Sequence, residues 1–209
     1  MVGDTIMTSL FGLLGHGMML MALLLLILQV KRWKQYWPVA YLISAIIIIL
    51  PIQNWLLIEF SRGYFSDLSM ATIMVCLIFI VSGMRPQAIT IDHSFKLFIL
   101  VIAAILFPSS LGLGQYDLFS LGFPSEAGFD FLIVFIAAIG LFAWYKQANQ
   151  LAWYIAAVFI AYYFGLYESQ NIWVYLIDPI VMLIVIVGYV IMTIKLMFQY
   201  ITSRLVKNV

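Results

Sequence analysis

The chain has 209 residues, 66% of them apolar or aromatic and only 9% charged, with a formal net charge of +1; an ordinary soluble domain is roughly a quarter charged. This excludes a soluble globular protein, and the even charge balance gives no reason to expect nucleic acid as a partner. A membrane crossing takes about 20 mostly apolar residues, so the chain has room for a bundle of crossing helices and for no separate soluble domain.

The first apolar run, about residues 5–30, is too long for the core of a signal peptide and is read as a retained helix. It ends in Lys31, Arg32 and Lys34, interleaved with Trp33, Tyr36 and Trp37, a basic and aromatic interface anchor. Pro38 opens a second predicted helix over 39–58, with Pro51 expected to kink it near its far end. Residues 59–67 then read as a loop, and Ser66 or Asp67 as the cap of a third helix over 67–83. Arg85, His93 and Lys96 return the chain to the first side, and a fourth helix over 95–108 is interrupted by Pro108.

Residues 109–128 form the longest connection, rich in glycine yet carrying Leu111, Leu113, Tyr116, Leu118, Phe119, Leu121 and Phe123. That apolar content predicts an outer interfacial or re-entrant segment rather than a free solvated loop. A fifth helix over 129–145 and a sixth over 151–166 are antiparallel neighbours joined by a short turn. Asp178-Pro179, an N-cap followed by proline in the first helical turn, opens a seventh over 179–203. Cys76 lies within an apolar run and has no second cysteine to pair with.

These elements predict an all-α, polytopic transmembrane bundle of about seven spans forming a single domain. Seven crossings put Lys31, Arg32, Lys34, Arg85, Lys96, Lys146, Lys195, Arg204 and Lys207 on one side, nine of the ten basic residues. The positive-inside rule makes that side cytoplasmic and leaves the N-terminus outside. The expected location is therefore a cell membrane, multi-pass, such as the bacterial inner membrane, with membrane lipids as its immediate partners.

In that orientation Arg62 is the sole basic residue on an outer face holding Asp4, Glu59, Asp67, Asp117, Glu126, Asp130, Glu168 and Asp178. Capping accounts for Asp67, Asp130 and Asp178, whereas Glu59, Arg62 and Glu168 stand near the ends of apolar runs, where a charge is costly unless paired or wet. Arg62, Glu59, Asp67, Asp117, Glu168 and Asp178 are accordingly the candidate ligand- or partner-binding residues. His16, among Gly12, Gly15 and Gly17, joins Glu59 and Glu168 as a candidate for chemistry. The bland reading of this histidine is a hydrogen bond to a neighbouring helix.

The motifs of zinc hydrolases, redox dithiols, serine hydrolases and phosphate-binding loops are missing from the sequence. The reading that follows is a cell-envelope accessory, scaffold or assembly factor that binds a partner protein or lipid-linked ligand at its acidic outer face. An alternative is a membrane enzyme acting on a lipid-linked phosphate, with Glu59, Asp117, Glu168 and Asp178 around a divalent cation, Arg62 on the phosphate and His16 carrying protons. A small transporter is the other alternative, disfavoured by the lack of an internal repeat and by prolines lying toward helix ends.

Overall fold

A computed structural model describes residues 2–29, 34–52, 55–85, 87, 89–113 and 115–207, without the side chains of 2–7, 34, 52, 201 and 203–207. Lys31, Arg32 and Trp33 of the predicted anchor lie outside the described residues, as do the side chains of Asp4, Lys34, Arg204 and Lys207. The chain is 76% helical, with nine α-helices among the described residues. These are α1 (Val2–Ile27), α2 (Trp37–Ile48), α3 (Leu57–Phe65), α4 (Met70–Met84), α5 (His93–Ser110), α6 (Phe129–Tyr145), α7 (Asn149–Tyr163), α8 (Ile172–Leu176) and α9 (Pro179–Lys207). Three of them contain stretches long and apolar enough to cross a membrane, Thr8–Ile27, His93–Ser110 and Pro179–Tyr200.

Membrane character also shows in where the apolar surface points. Along α5, Leu97, Val101 and Ile105 recur every fourth residue and face outward, while Phe95, Ile99, Ile102 and Leu106 face the core. Phe131, Val134, Leu141 and Phe142 of α6 are likewise exposed. A helix apolar on both faces has no water-facing side, which is the arrangement of a bundle surrounded by lipid.

The core lies among α4 to α9, with Tyr154, Ile155 and Val158 of α7 packed against Phe95 and Ile99 of α5, Ile136 of α6, Ile172 and Leu176 of α8, and Val181 of α9. Tyr154 sits edge-on to Phe95, ring centroids 5.1 Å apart, and its hydroxyl donates to the Leu176 carbonyl. α4 packs on this core with one side and on α1 with the other. Small residues let the layers close up: Gly15 of α1 faces Ile73 of α4, and Gly140 of α6 faces Ile155 of α7.

Several connections end in the same way. After α5, α6 and α7 the chain turns through a left-handed residue, Gly112, Gln147 and Gly165, with φ of 75°, 58° and 58°. In each turn two backbone N–H groups reach back to helix carbonyls, as when Leu166 donates to Ala161 and Gly165 to Tyr162. This satisfies carbonyls that would otherwise be orphaned, and it ends α7 at Tyr163, short of the predicted residue 166.

Two expectations are overturned in the stretch between α2 and α4. The helix predicted over 39–58 is not continuous: α2 stops at Ile48, and Pro51–Ile52 (β1) pairs antiparallel with Trp55–Leu56 (β2). Pro51 ends the helix instead of kinking it, because proline has no N–H to give and pushes the residue before it toward extended backbone. Gln53 and Asn54 lie outside the described residues. The second correction concerns residues 59–67, which were expected to form a loop but are helical through Phe65. Glu59 explains this, since its Oε2 accepts the Leu56 N–H at 2.8 Å and so caps the first turn of α3.

Capping elsewhere is mixed. α4 starts at Met70 with Ser69 as N-cap, not Ser66 or Asp67; Ser66 is occupied in ending α3 and Asp67 in pairing with Arg62. Gly128 caps α6, leaving Asp130 in the first turn. Asp178 does cap α9, accepting the Val181 N–H at 2.8 Å. The long connection divides in two. Leu118 to Gly122 is strapped to α8, with Trp173 Nε1 donating to Leu118 O and Asn171 Nδ2 to Phe119 O, both at 2.9 Å. Leu111, Leu113 and Tyr116 instead project outward, each more than 70% exposed.

Candidate functional site

The polar residues singled out in the sequence gather where α1, α3, α4 and α9 meet. α3 lies along the first half of α1, with Gly17 opposite Ile58 and Gly12 opposite Arg62. It presents Ser61 and Arg62 to α1 while Phe60, Tyr64 and Phe65 face outward. A Cβ on Gly12 would sit 2.5 Å from both Arg62 Nε and Asp67 Oδ1. Only glycine therefore admits the ion pair so close to the helix backbone.

Arg62 Nε donates to Asp67 Oδ1 at 2.9 Å, and one terminal nitrogen donates to the Ser9 carbonyl at 3.3 Å. The other terminal nitrogen approaches Glu168 Oε1 at 3.7 Å. The Arg62 and Asp67 side chains are 20% and 14% exposed, against 74% for Glu168. The Asp67 pair is therefore the substantial one, and the long, solvated Glu168 contact contributes little. Glu59, one helical turn before Arg62, is not its partner, because it is held by the Leu56 N–H.

His16 is fully buried and uses both ring nitrogens: Nε2 lies 2.6 Å from the Ser66 carbonyl and Nδ1 3.0 Å from Ser61 Oγ. A carbonyl only accepts, so Nε2 carries the proton, and in the neutral ring Ser61 Oγ–H donates to Nδ1. Ser66 has φ 54° and ψ −163°, a conformation natural to glycine and strained for other residues. That conformation directs its carbonyl at His16, so the histidine and the strained turn hold each other in place.

Asp178 anchors the other side of the cluster. Its Oδ2 accepts the Ser69 N–H at 2.8 Å, and its Oδ1 accepts the Thr72 hydroxyl and the Val181 N–H, both at 2.8 Å. One carboxylate thus caps the starts of two helices, α4 and α9, and favours both through their dipoles. Tyr167 adds a third tie, its hydroxyl donating to the Leu68 carbonyl while its ring lies 4.6 Å from that of Tyr175. Burial, and after it the negative charges of Asp67 and Asp178, push the Tyr167 hydroxyl far above the usual tyrosine range. Burial raises Tyr175 too, with the hydrogen bond that its oxygen accepts from the Tyr167 N–H acting against it.

Sequence reasoning missed three contributors, Ser61, Thr72 and Tyr167. Two are small hydroxyls in apolar runs and the third resembles an ordinary belt aromatic. Conversely, Asp117 is apart from the cluster, its carboxylate accepting the Phe119 N–H two residues on. Among the described residues, no three His, Cys, Asp or Glu side chains stand close enough together to hold a metal ion. Glu59, Asp117 and Asp178 each turn to separate backbone donors and Glu168 is exposed beside Arg62, so these four acids do not fit a divalent cation.

Beside the cluster an open cleft of about 590 Å³ is lined by Thr8, Tyr162, Tyr167, Glu168, Gln170 and Tyr175, among others. Pro124 of the long connection forms part of its wall. No protein-family model, curated protein or solved structure matches the chain.

Proposed function

We propose that the chain is a seven-span protein of the bacterial inner membrane or an equivalent membrane, with its N-terminus outside, acting as a cell-envelope accessory or scaffold that docks a partner protein at its acidic end. Three observations support seven crossings: three full-length apolar helices, shorter apolar helices at Trp37–Ile48, Met70–Met84 and Phe129–Tyr145, and α7 as the antiparallel neighbour of α6. α2 rises about 18 Å over its 12 residues, well short of the roughly 30 Å hydrocarbon core. In this reading α3 completes the second crossing beyond the β1–β2 hairpin.

The observation that carries the binding reading is how the polar groups are used. Asp178, Glu59 and His16 are engaged in hydrogen bonds to helix ends, and Asp67 is paired with Arg62, so they form a rigid platform. Above it stand the aromatic cleft and the exposed Leu111, Leu113 and Tyr116, an apolar surface of the kind that marks an interaction site. The test is a photo-crosslinking amino acid at Leu113, at Gln170 and, as a lipid-facing control, at Leu141. A discrete protein adduct from the first two and none from Leu141 supports the reading; adducts with lipid alone at all three overturn it, and adducts with a lipid-linked saccharide or phosphate replace the protein partner by that ligand.

One observation favours a second reading, transport. A crossing broken beside His16 and Arg62 resembles the interrupted helices at which transporters bind substrates. Sealed proteoliposomes carrying a pH-sensitive dye test it: no proton or solute flux above empty vesicles removes this alternative.

A further inference from the structure

The outward face of α3 carries a second concavity, separate from the cleft beside Tyr167. Its volume is about 310 Å³, and it is lined by Trp55 of β2 and by Glu59, Phe60, Gly63 and Tyr64 of α3. Positions 59, 60, 63 and 64 share one side of a helix. Trp55 is brought beside them by the hairpin, in which it pairs with Ile52 while the Leu57 N–H donates to the Leu50 carbonyl at 3.3 Å. Gly63 keeps the space open, since a Cβ there would meet nothing within 4 Å.

The chemistry of this pocket is that of a cation site. Trp55, Phe60 and Tyr64 are 63%, 62% and 77% exposed, and among the described residues no lysine or arginine of the chain lies over their rings. Glu59 uses one oxygen, Oε2, to accept the Leu56 N–H, and no group among the described residues takes the other. Arg62, one turn away, does not neutralise it, because its guanidinium is turned to α1 and paired with Asp67 at 2.9 Å. The pocket thus joins a carboxylate with an open oxygen to three aromatic side chains. Ring faces attract ammonium groups through their quadrupole, tryptophan most strongly, and rings gathered in this way recognise alkylammonium ligands. An interfacial belt accounts for a tryptophan or a tyrosine singly. It does not require them to converge with a phenylalanine around a half-buried carboxylate.

Depth in the membrane decides which ammonium group reaches it. α4 and α9 both start on the Asp178 carboxylate, and Asp67, just ahead of α4, is paired with Arg62 of α3. From that start α9 carries an apolar stretch, Pro179–Tyr200, long enough to cross a membrane. Charged groups gathered at the start of a crossing mark the polar boundary of the bilayer, so α3 lies at headgroup level. Next to the pocket the surface is apolar, with Ile49, Leu50 and Leu56 exposed around the hairpin. We propose that the pocket holds the ammonium of a zwitterionic lipid headgroup, its charge on Glu59 and its carbons against Trp55, Phe60 and Tyr64. The acyl chains then descend past Ile49 towards the exposed Leu42 and Ile46 of α2. The site depends neither on partner docking at the Tyr167 cleft nor on which side of the membrane α3 occupies.

The test is lipid binding to the full-length protein in a maltoside detergent, which has no ammonium group, read by native mass spectrometry. At least one of phosphatidylethanolamine and phosphatidylcholine should bind several-fold more tightly than phosphatidylglycerol with the same chains. Glu59→Gln, which keeps a capping oxygen for the Leu56 N–H, and Tyr64→Leu should each abolish that preference and leave phosphatidylglycerol binding unchanged. No preference in the wild type, or one that survives either substitution, overturns the proposal. Choline and ethanolamine, added without acyl chains, should compete only weakly; competition at the affinity of the lipid makes a free amine the ligand and overturns the lipid source. A photo-crosslinking amino acid at Phe65, whose ring centroid lies 5.0 Å from that of Tyr64, separates a lipid from the lysine of a protein. In native membranes it should give lipid adducts, and a discrete protein adduct in their place overturns the proposal.

Discussion

Removing the Asp178 carboxylate should be the most damaging single change in the polar cluster. The carboxylate holds Ser69 N, Thr72 Oγ1 and Val181 N, each at 2.8 Å. In Asp178→Ala the Thr72 hydroxyl can rotate to another acceptor, but the two N–H groups at the starts of α4 and α9 lose theirs. Each unsatisfied buried donor costs about 1–3 kcal/mol, and the lost favourable interaction with two helix dipoles adds about 0.5 kcal/mol apiece. The sum is roughly 3–7 kcal/mol. For a domain of this size about 1 kcal/mol corresponds to 2–4 °C, so the melting temperature in mild detergent should fall by about 6 °C or more. Asp178→Asn should lie between, because one oxygen remains for Val181 while the amide nitrogen confronts the Ser69 N–H. Asp130→Ala, which removes an exposed first-turn carboxylate with no comparable role, serves as the control and should stay within about 2 °C. A melting temperature for Asp178→Ala indistinguishable from the control would refute the double-cap account.

Other consequences follow from the same geometry. Gly12→Ala should unseat the Arg62–Asp67 pair and destabilise by about 1–3 kcal/mol, whereas Gly63→Ala, whose Cβ meets nothing within 4 Å, should be neutral or stabilising by up to about 1 kcal/mol; equal melting temperatures would refute the distinction. Ser66→Gly should raise stability by about 1 kcal/mol by relieving its φ of 54°, read as a higher midpoint in denaturant. Arg62→Ala should reduce stability more than Glu168→Ala, since only the Asp67 partner is sheltered; the reverse order of thermal midpoints would refute this. Tyr167 and Tyr175 have raised folded-state values, so the unfolded chain loses these protons first. Stability should therefore hold below pH 10 and decline above it as the exposed hydroxyls ionise, which a pH series of thermal midpoints checks.

Composition and apolar runs made the helical membrane character legible, because burying backbone polar groups in lipid leaves few solutions. The long helices were legible for the same reason, α6 at both of its ends and α9 at its start, where Asp178 and Pro179 give an unambiguous signal. What could not be read was the hairpin. Pro51 marks a disturbance but does not say whether a helix bends or stops; the difference lies in Glu59, eight residues on, whose carboxylate starts a new helix. Arg62 was legible as a group in need of a partner, yet the choice of Asp67 over Glu59 depends on Gly12, a residue on another helix. Hydroxyl partners such as Ser61 and Thr72 carry no signal in sequence, since the same residues sit unremarked in many apolar helices.

The broken stretch and the polar cluster explain each other. A continuous helix from 37 to 65 would satisfy its own backbone and would need no polar neighbours inside an apolar bundle. Stopping at Ile48 and restarting at Leu57 creates a new helix start and, at Ser66, a new end, and each leaves backbone groups without intrahelical partners. The polar side chains fall on those groups, Glu59 on the Leu56 N–H and His16 on the Ser66 carbonyl. Nor does Arg62 act independently, since it requires Asp67 for its charge and Gly12 for its space. A bundle that needed only to be stable would do better with the uninterrupted helix. The retention of a strained serine, a buried histidine and a sheltered ion pair around one interruption argues that the position of α3, with Phe60 and Tyr64 turned outward, is what the cluster maintains.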